Sequence, residues 1–313
     1  MADEDAFSPF DPLIAAADRT TSPWTSDGLY VPDLDLLQQL LTLPIAEARA
    51  QESGRVAKAF DAWIAHELRR AGFDEDSVWP RMRRPRVLAQ DLAKLERLLE
   101  TLATELTAAE AANDGDRLKP PGLRRAIREA TTALPGLSEA YILGDFYAKQ
   151  IDVSISSWKR GPELLISTKT MFSSYKNNLK NRHEEAVGEV SSLRRRHPMA
   201  AMGFAFLVRR TIFDVDGAYA SLTDILRRLR RPGETFDATL LLVGDWADHD
   251  PNTTVAIDEP ADDLTAHRFF ADIVNAATER TPFTEHEEVR LRRDGEPPGG
   301  MPDDELLELP SED

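Results

Sequence analysis

KQIDVSISSWKRGPELLISTK, residues 149–169, is the stretch whose reading decides the fold. Ile151, Val153 and Ile155 alternate with Asp152, Ser154 and Ser156, so an extended run has one apolar and one polar side. After a turn at Lys159-Arg160-Gly161-Pro162, a second run sets Ser167 and Lys169 against Ile166 and Thr168. The pattern predicts a β-hairpin with an aspartate on one strand and a lysine on its neighbour. Periodicity alone makes the polar side a solvated face. Yet a carboxylate and an ammonium held this way can also bind a divalent metal and activate a water beside a phosphodiester.

Beyond the hairpin the periods alternate. A helix is predicted from about Ser173 to Arg196, a buried strand in HPMAAMGFAFLVRRTIF and a helix in GAYASLTDILRRLRR. TFDATLLLVGDW reads as a second buried strand and DLTAHRFFADIVNAATE as a closing helix. This order predicts an α/β core, a mixed central sheet with helices on both faces, over residues 136–283. Upstream, residues 34–135 read as a helical region. DLDLLQQLLTLPIAEA gives one helix, and SGRVAKAFDAWIAHELRRAGF a second, with Val56, Phe60, Trp63, Ile64 and Leu68 on one face and Gly72 as its stop. VLAQDLAKLERLLETLATELTAAEAAND and LKPPGLRRAIREATTAL read as two further helices. Residues 1–33 are expected to be an acidic arm without a core of its own, and 284–313 an acidic disordered tail.

The chain has no cysteine, which excludes disulfides, thiolate zinc sites and a cysteine nucleophile. Its six histidines show no HExxH or similar spacing, so an expected metal is a hard cation on oxygen ligands. The opening MADEDAFSPFDPL lacks a basic-then-apolar leader, and the apolar run MAAMGFAFLV is cut by Arg209 and Arg210. A cytoplasmic protein without a membrane partner is expected. The net charge of −17 is unevenly spread. Residues 149–231 hold 16 Lys and Arg against 8 Asp and Glu, whereas 285–313 hold 3 against 11. A basic centre between acidic ends fits a core that binds a polyanion, although arginines on amphipathic helices also serve simply to keep a face wet.

The hairpin and the helix after it resemble the PD-(D/E)XK nuclease superfamily, the fold of most type II restriction enzymes. Asp152 matches the motif's aspartate, and Ser167-Thr168-Lys169 stands where the family has acidic-x-Lys. A subset of restriction enzymes carries the same Ser-x-Lys and supplies the missing carboxylate from the following helix. The resemblance therefore implies a restriction-endonuclease-like core with Asp152, Ser167, Lys169 and a helix glutamate in the catalytic site. In SSYKNNLKNRHEEAVGEVSSLRRR, Glu185 lies on the border of the buried stripe and is the favoured carboxylate, with Glu184 and Glu189 as alternates. Asp152, Glu185 and Glu184 become the expected ligands of Mg²⁺ or Mn²⁺. Lys176, Lys180, Arg182, Arg194, Arg195 and Arg196 become the expected contacts to a DNA backbone. Upstream, Gly54 before Phe60-Asp61 is similar to the family's first core helix, which would bring Asp61 or Glu67 to the edge of the site.

The implied function is a metal-dependent endonuclease acting on double-stranded DNA, of a restriction or anti-phage defence type. A homodimer is implied by analogy, with a methyltransferase or other defence partner possible. Two other readings stand beside it. One is a nuclease fold that binds DNA without cutting it, which Ser167 keeps open. The other is a haloacid-dehalogenase-like phosphatase, suggested by Asp214 and Asp216 in IFDVDG and by Asp245, Asp248 and Asp250 in VGDWADHD. The short separation of those two motifs argues against the phosphatase, and turn or cap chemistry accounts for the aspartates.

Overall fold

The computed structural model describes residues 5–47, 54–88, 90–111, 139–157, 159–230, 236–248, 250 and 252–294. Strand β5, Gly161–Met171, lies near the centre of a six-stranded sheet and carries the Ser-x-Lys segment. It pairs in parallel with β6, Ala201–Arg209, which pairs in parallel with β7, Ala238–Asp245. The other joins are antiparallel: β5 with β4, Val153–Ser157, β4 with the short β1, Val78–Trp79, and β7 with β8, Ala256–Asp258. The sheet is thus mixed, as the alternating periods require. β6 and β7 are buried along almost their whole length, which accounts for their unbroken apolar sequence.

Helices cover both faces. On one side α3, Arg55–Arg70, and α7, Ala266–Arg280, pack with Val153, Ile155, Leu164 and Ile166 in one core. On the other, α5, Tyr175–Arg196, and α6, Ala218–Leu229, pack with Leu165, Phe204, Phe206 and Val208 in a second. α3 is enclosed nearly all round, since α1, Asp11–Ala16, and α2, Leu34–Ala46, cover its outer side. α4, Gln90–Ala111, extends from this region. The predicted helix in LKPPGLRRAIREATTAL lies outside the described residues.

Three expectations change. First, the 149–169 hairpin is not one hairpin. Ala148–Ile151 forms β3 and pairs with β2, Ala140–Leu143, as a separate two-stranded ribbon. The chain breaks at Asp152, whose side chain accepts a hydrogen bond from the Thr168 amide at 2.8 Å. Only Val153–Ser157 then joins β5, with the turn closed by Gly161 at a φ of 73°. Second, the polar side of this hairpin is not solvated: Ser154 is fully buried and Ser167 nearly so.

Third, neither end of the chain is loose over its described part. Phe7, Phe10, Ile14, Trp24 and Tyr30 are buried in the α3 core, so the expected acidic arm is part of the body. Its aspartates are used too: Asp5 and Asp11 bind Arg86. At the other end, α8, Glu287–Asp294, buries Val289, while Arg292 donates to the carbonyls of Arg19 and Arg70. Residues 284–294 of the expected disordered tail are therefore folded onto the N-terminal helices. Residues 295–313 lie outside the described part.

Candidate active site

Four elements bring polar side chains together around β5. Alternation along that strand sends Thr168 toward α3, while Ser167 meets α5. The Thr168 hydroxyl donates to Asp61 Oδ1 at 2.5 Å, and Lys58 Nζ lies 3.3 Å from Asp61 Oδ2. From the opposite face the Ser167 hydroxyl makes a short hydrogen bond to Glu189 Oε1. Asp152, held by the Thr168 amide, stands at the sheet margin between the two groups. Asp152 and Lys169 are only partly enclosed, whereas Thr168 is buried and Asp61 is 1% exposed.

The electrostatics tie the cluster together. Burial, reinforced by the charge of Asp152, raises the Asp61 carboxyl to about 7, against the opposing pull of Lys58 and Thr168. Glu189 is likewise raised by burial and by Asp152, while Lys169, Ser167 and Lys149 act to lower it. Burial works against the charge on Lys58, yet Asp61 and Asp152 outweigh it and leave the ammonium above its ordinary value. Two buried acids that resist ionising, beside an aspartate and two lysines, are the kind of perturbed titratable cluster that marks a candidate site.

The sequence-predicted residues divide accordingly. Asp152, Ser167 and Lys169 lie in this cluster, and Asp61 joins it. Glu67 does not: it accepts from Tyr30 Oη and the Asp33 amide and pairs with Arg70, fastening the N-terminal segment to α3. On α5 the carboxylate that reaches Ser167 is Glu189, not the favoured Glu185. Glu185 is exposed and bound to Arg182 at 2.6 Å, and Glu184 is exposed beside Lys180. The physical reason is the helix phase: Glu189 falls against the sheet and Glu185 at its outer border. Lys58 and Thr168 were not anticipated, although a lysine three residues before Asp61 is a readable helix pair.

The expected DNA contacts do not form one patch. α5 has 22 residues, so about 30 Å separates Lys176 from Arg196. Lys176, Lys180 and Arg182 lie toward its first half, the latter two next to Glu184 and Glu185. Arg194 binds Asp237 and the Ala200 carbonyl, a structural role. Arg195 and Arg196 are exposed, with Arg195 beside Asp145.

The phosphatase residues lie at and beyond the carboxyl ends of β6 and β7, where Arg210 lies 3.8 Å from Asp245. Asp214 ends a short 3₁₀ segment, Arg210–Asp214, beyond β6, and Asp216 lies in the turn before α6, whose N-cap is Gly217 without a side-chain cap bond. Asp248 binds Arg209, and Asp250 caps the amide of Asn252.

Among the described residues, no three of His, Asp and Glu are placed so as to hold a metal ion between them. Asp152 and Glu189 each commit one carboxylate oxygen to β5 and retain the other. Two carboxylate oxygens with water completing the shell is a donor set suited to a hard divalent cation such as Mg²⁺. Among the described residues no helix is long and apolar enough to cross a membrane. No family model matches the chain, and neither a curated protein nor a solved structure matches it.

Proposed function

We propose that the chain is a metal-dependent nuclease that hydrolyses DNA phosphodiesters at the Asp152–Lys169–Glu189 cluster. The observation that carries this reading is the meeting of Glu189, on the helix after Ser-x-Lys, with Ser167 on the strand. A carboxylate missing from the strand is thereby supplied by the helix. Asp152 and Glu189 would hold Mg²⁺ or Mn²⁺, which when bound polarises the phosphate and acidifies a water.

The remaining roles belong to this chain's own groups. Lys169 orients the attacking water and offsets charge building on the phosphate oxygens. Asp61 has both oxygens engaged and is almost fully buried, so it positions Thr168 and Lys58 rather than touching substrate. Thr168 in turn fixes Asp152 through its amide. Asp61 and Glu189, both held above the ordinary carboxylate range chiefly by burial, let the cluster tolerate three carboxylates in one place. Cutting both strands of a duplex needs two such sites, which makes a homodimer, in a restriction or defence role, part of the proposal.

Supercoiled plasmid incubated with Mg²⁺, and in parallel with EDTA, tests it. Nicked or linear products should form only with the metal, and Asp152→Asn, Lys169→Ala and Glu189→Gln should each lower the rate about 10²- to 10⁴-fold. Activity that survives all three changes but dies with Asp214→Ala would move the chemistry to the phosphatase residues. Retarded DNA without cleavage in any metal would leave the non-catalytic binding reading, which Ser167 in place of an acid favours.

A further inference from the structure

The ribbon β2–β3 leads straight into Asp152 and carries aromatic side chains that the site described above does not use. Its stem is anchored on α5. Ile142 and Ile151 are buried in the α5 core, and the Asp145 amide donates to Ser192 Oγ at 2.9 Å. His197 Nε2 donates to the Leu143 carbonyl, and Arg195 pairs with Asp145. The approach is so close that a Cβ on Gly144 would lie 2.4 Å from Ser192 Oγ. On this fixed stem, Phe146 is 82% and Tyr147 53% exposed.

With Tyr141 57% and Leu143 49% exposed on the same ribbon, these rings form a clustered apolar patch rather than scattered single side chains, and such a patch marks an interaction surface. The charges around it select the partner. Lys149 Nζ lies 4.7 Å from the centre of the Tyr147 ring and also acts on Glu189, so it links the tip to the site. Arg195 and Arg196 are exposed at the adjoining end of α5. The carboxylates nearby are Asp145, engaged by Arg195, and Glu139, which accepts from Tyr141 Oη. Aromatic faces beside cations, on a ribbon of four-residue strands about 13 Å long that runs into Asp152, match a platform for unstacked bases.

We propose that Phe146 and Tyr147 stack on unpaired bases of the strand whose phosphate enters the Asp152 site, so that the substrate is DNA with a single-stranded or opened segment. This rests on the nuclease reading for its choice of nucleic acid. Lys149 and Arg196 then neutralise phosphates between the stacked bases and the scissile bond.

The test is fluorescence anisotropy of the full chain in EDTA, with a 5′-fluorescein mixed-sequence DNA strand and, separately, its blunt duplex. The expected result is tighter binding of the single strand, and a loss of about tenfold or more for Phe146→Ala/Tyr147→Ala, the scale of base–aromatic stacking. Duplex affinity should change less than about twofold, and Phe146→Trp/Tyr147→Trp should retain single-strand binding. Unchanged melting temperatures confirm that the variants fold. Equal losses on both probes, or no loss on either, overturn the stacking role while leaving the nuclease reading intact. A wild-type chain that binds neither probe also overturns the stacking role. Metal-dependent cleavage, measured apart, fails or succeeds independently of this binding.

Discussion

Two of the places where carboxylates are enclosed, Asp237 and the cluster around β5, hold them in opposite ways. At the amino ends of β6 and β7, Asp237 accepts from Arg280 at 2.6 and 2.8 Å, from Arg194 at 2.8 Å and from the Met202 amide at 2.7 Å. Burial alone would raise its pKa, but these partners outweigh it and hold the carboxyl below the usual range. Around β5, Asp61 and Glu189 are more deeply enclosed and have no arginine, and both are held above the usual range. The first arrangement fixes the fold, because every charge is answered. The second has Lys58 and the Thr168 hydroxyl beside Asp61 and the Ser167 hydroxyl on Glu189 to set against burial, and burial prevails. Buried carboxylates are thus informative through their partners, not through burial itself.

The comparison breaks most visibly at Asp237. Asp237→Ala removes the shared acceptor of two guanidiniums and of an amide, and should cost about 3 kcal/mol in a urea unfolding series. DNA cleavage per folded molecule should hold, since no site residue touches Asp237. Should the variant lose less than about 1 kcal/mol, the clamp is not what secures these strand ends. The loss should shrink as pH falls through the depressed pKa of this aspartate, because the wild type gives up the same interaction there.

Asp61→Asn sharpens the comparison from the other side. The folded pKa of Asp61, about 7, lies above the ordinary 3.8, so folding favours its protonated form. Stability from this group is therefore full at low pH and declines as pH rises from about 4 toward 7. Asparagine cannot ionise and still accepts from the Thr168 hydroxyl. Above pH 7 the variant should be more stable by about 2 kcal/mol, while cleavage falls as Lys58 loses its charged partner. Equal stability of the two proteins at all pH values would show that Lys58 already neutralises Asp61 in full.

Much of this was readable from the chain. The buried strands at 201–209 and 238–245 declare themselves by unbroken apolar sequence, and the helices between by their period. Asp152 and Lys169 were legible through the Ser-x-Lys segment. Glu189 was legible only in part: at about 100° per residue it lies about 40° from Leu193 and 60° from Ala186, closer to the buried stripe than Glu185. The smaller angle to the apolar stripe is the signal that could have chosen it over Glu185. What could not be read was long-range. The break at Asp152 depends on a side chain satisfying the Thr168 amide across strands. The N-terminal segment looked loose because its few aromatics, Phe7, Phe10, Trp24 and Tyr30, find their partners on helices far along the chain.

His66 tests whether a perturbed titration alone marks a site. It is fully buried on α3, neither ring nitrogen has a hydrogen-bond partner among the described residues, and its surroundings form no reactive cluster. Burial, followed by the charges of Arg70 and Arg69, lowers its pKa to about 3 from the ordinary 6.5. Above pH 6.5 the ring is neutral whether the chain is folded or not, and it contributes no pH dependence. Below that, the unfolded chain takes up a proton that the folded chain refuses, so stability falls by up to about 1.4 kcal/mol per pH unit down to about pH 3. His66→Leu removes this slope. Near pH 5.5 it should gain about 1.4 kcal/mol relative to wild type beyond any difference measured at pH 7.5, and cleavage should be unaffected. If cleavage instead falls with His66→Leu while stability is preserved, the distinction drawn between Asp61 and the structural groups of α3 does not hold. A histidine perturbed as strongly as Asp61, but without Thr168, Lys58 and Asp152 converging on it, is the control that separates strain from function.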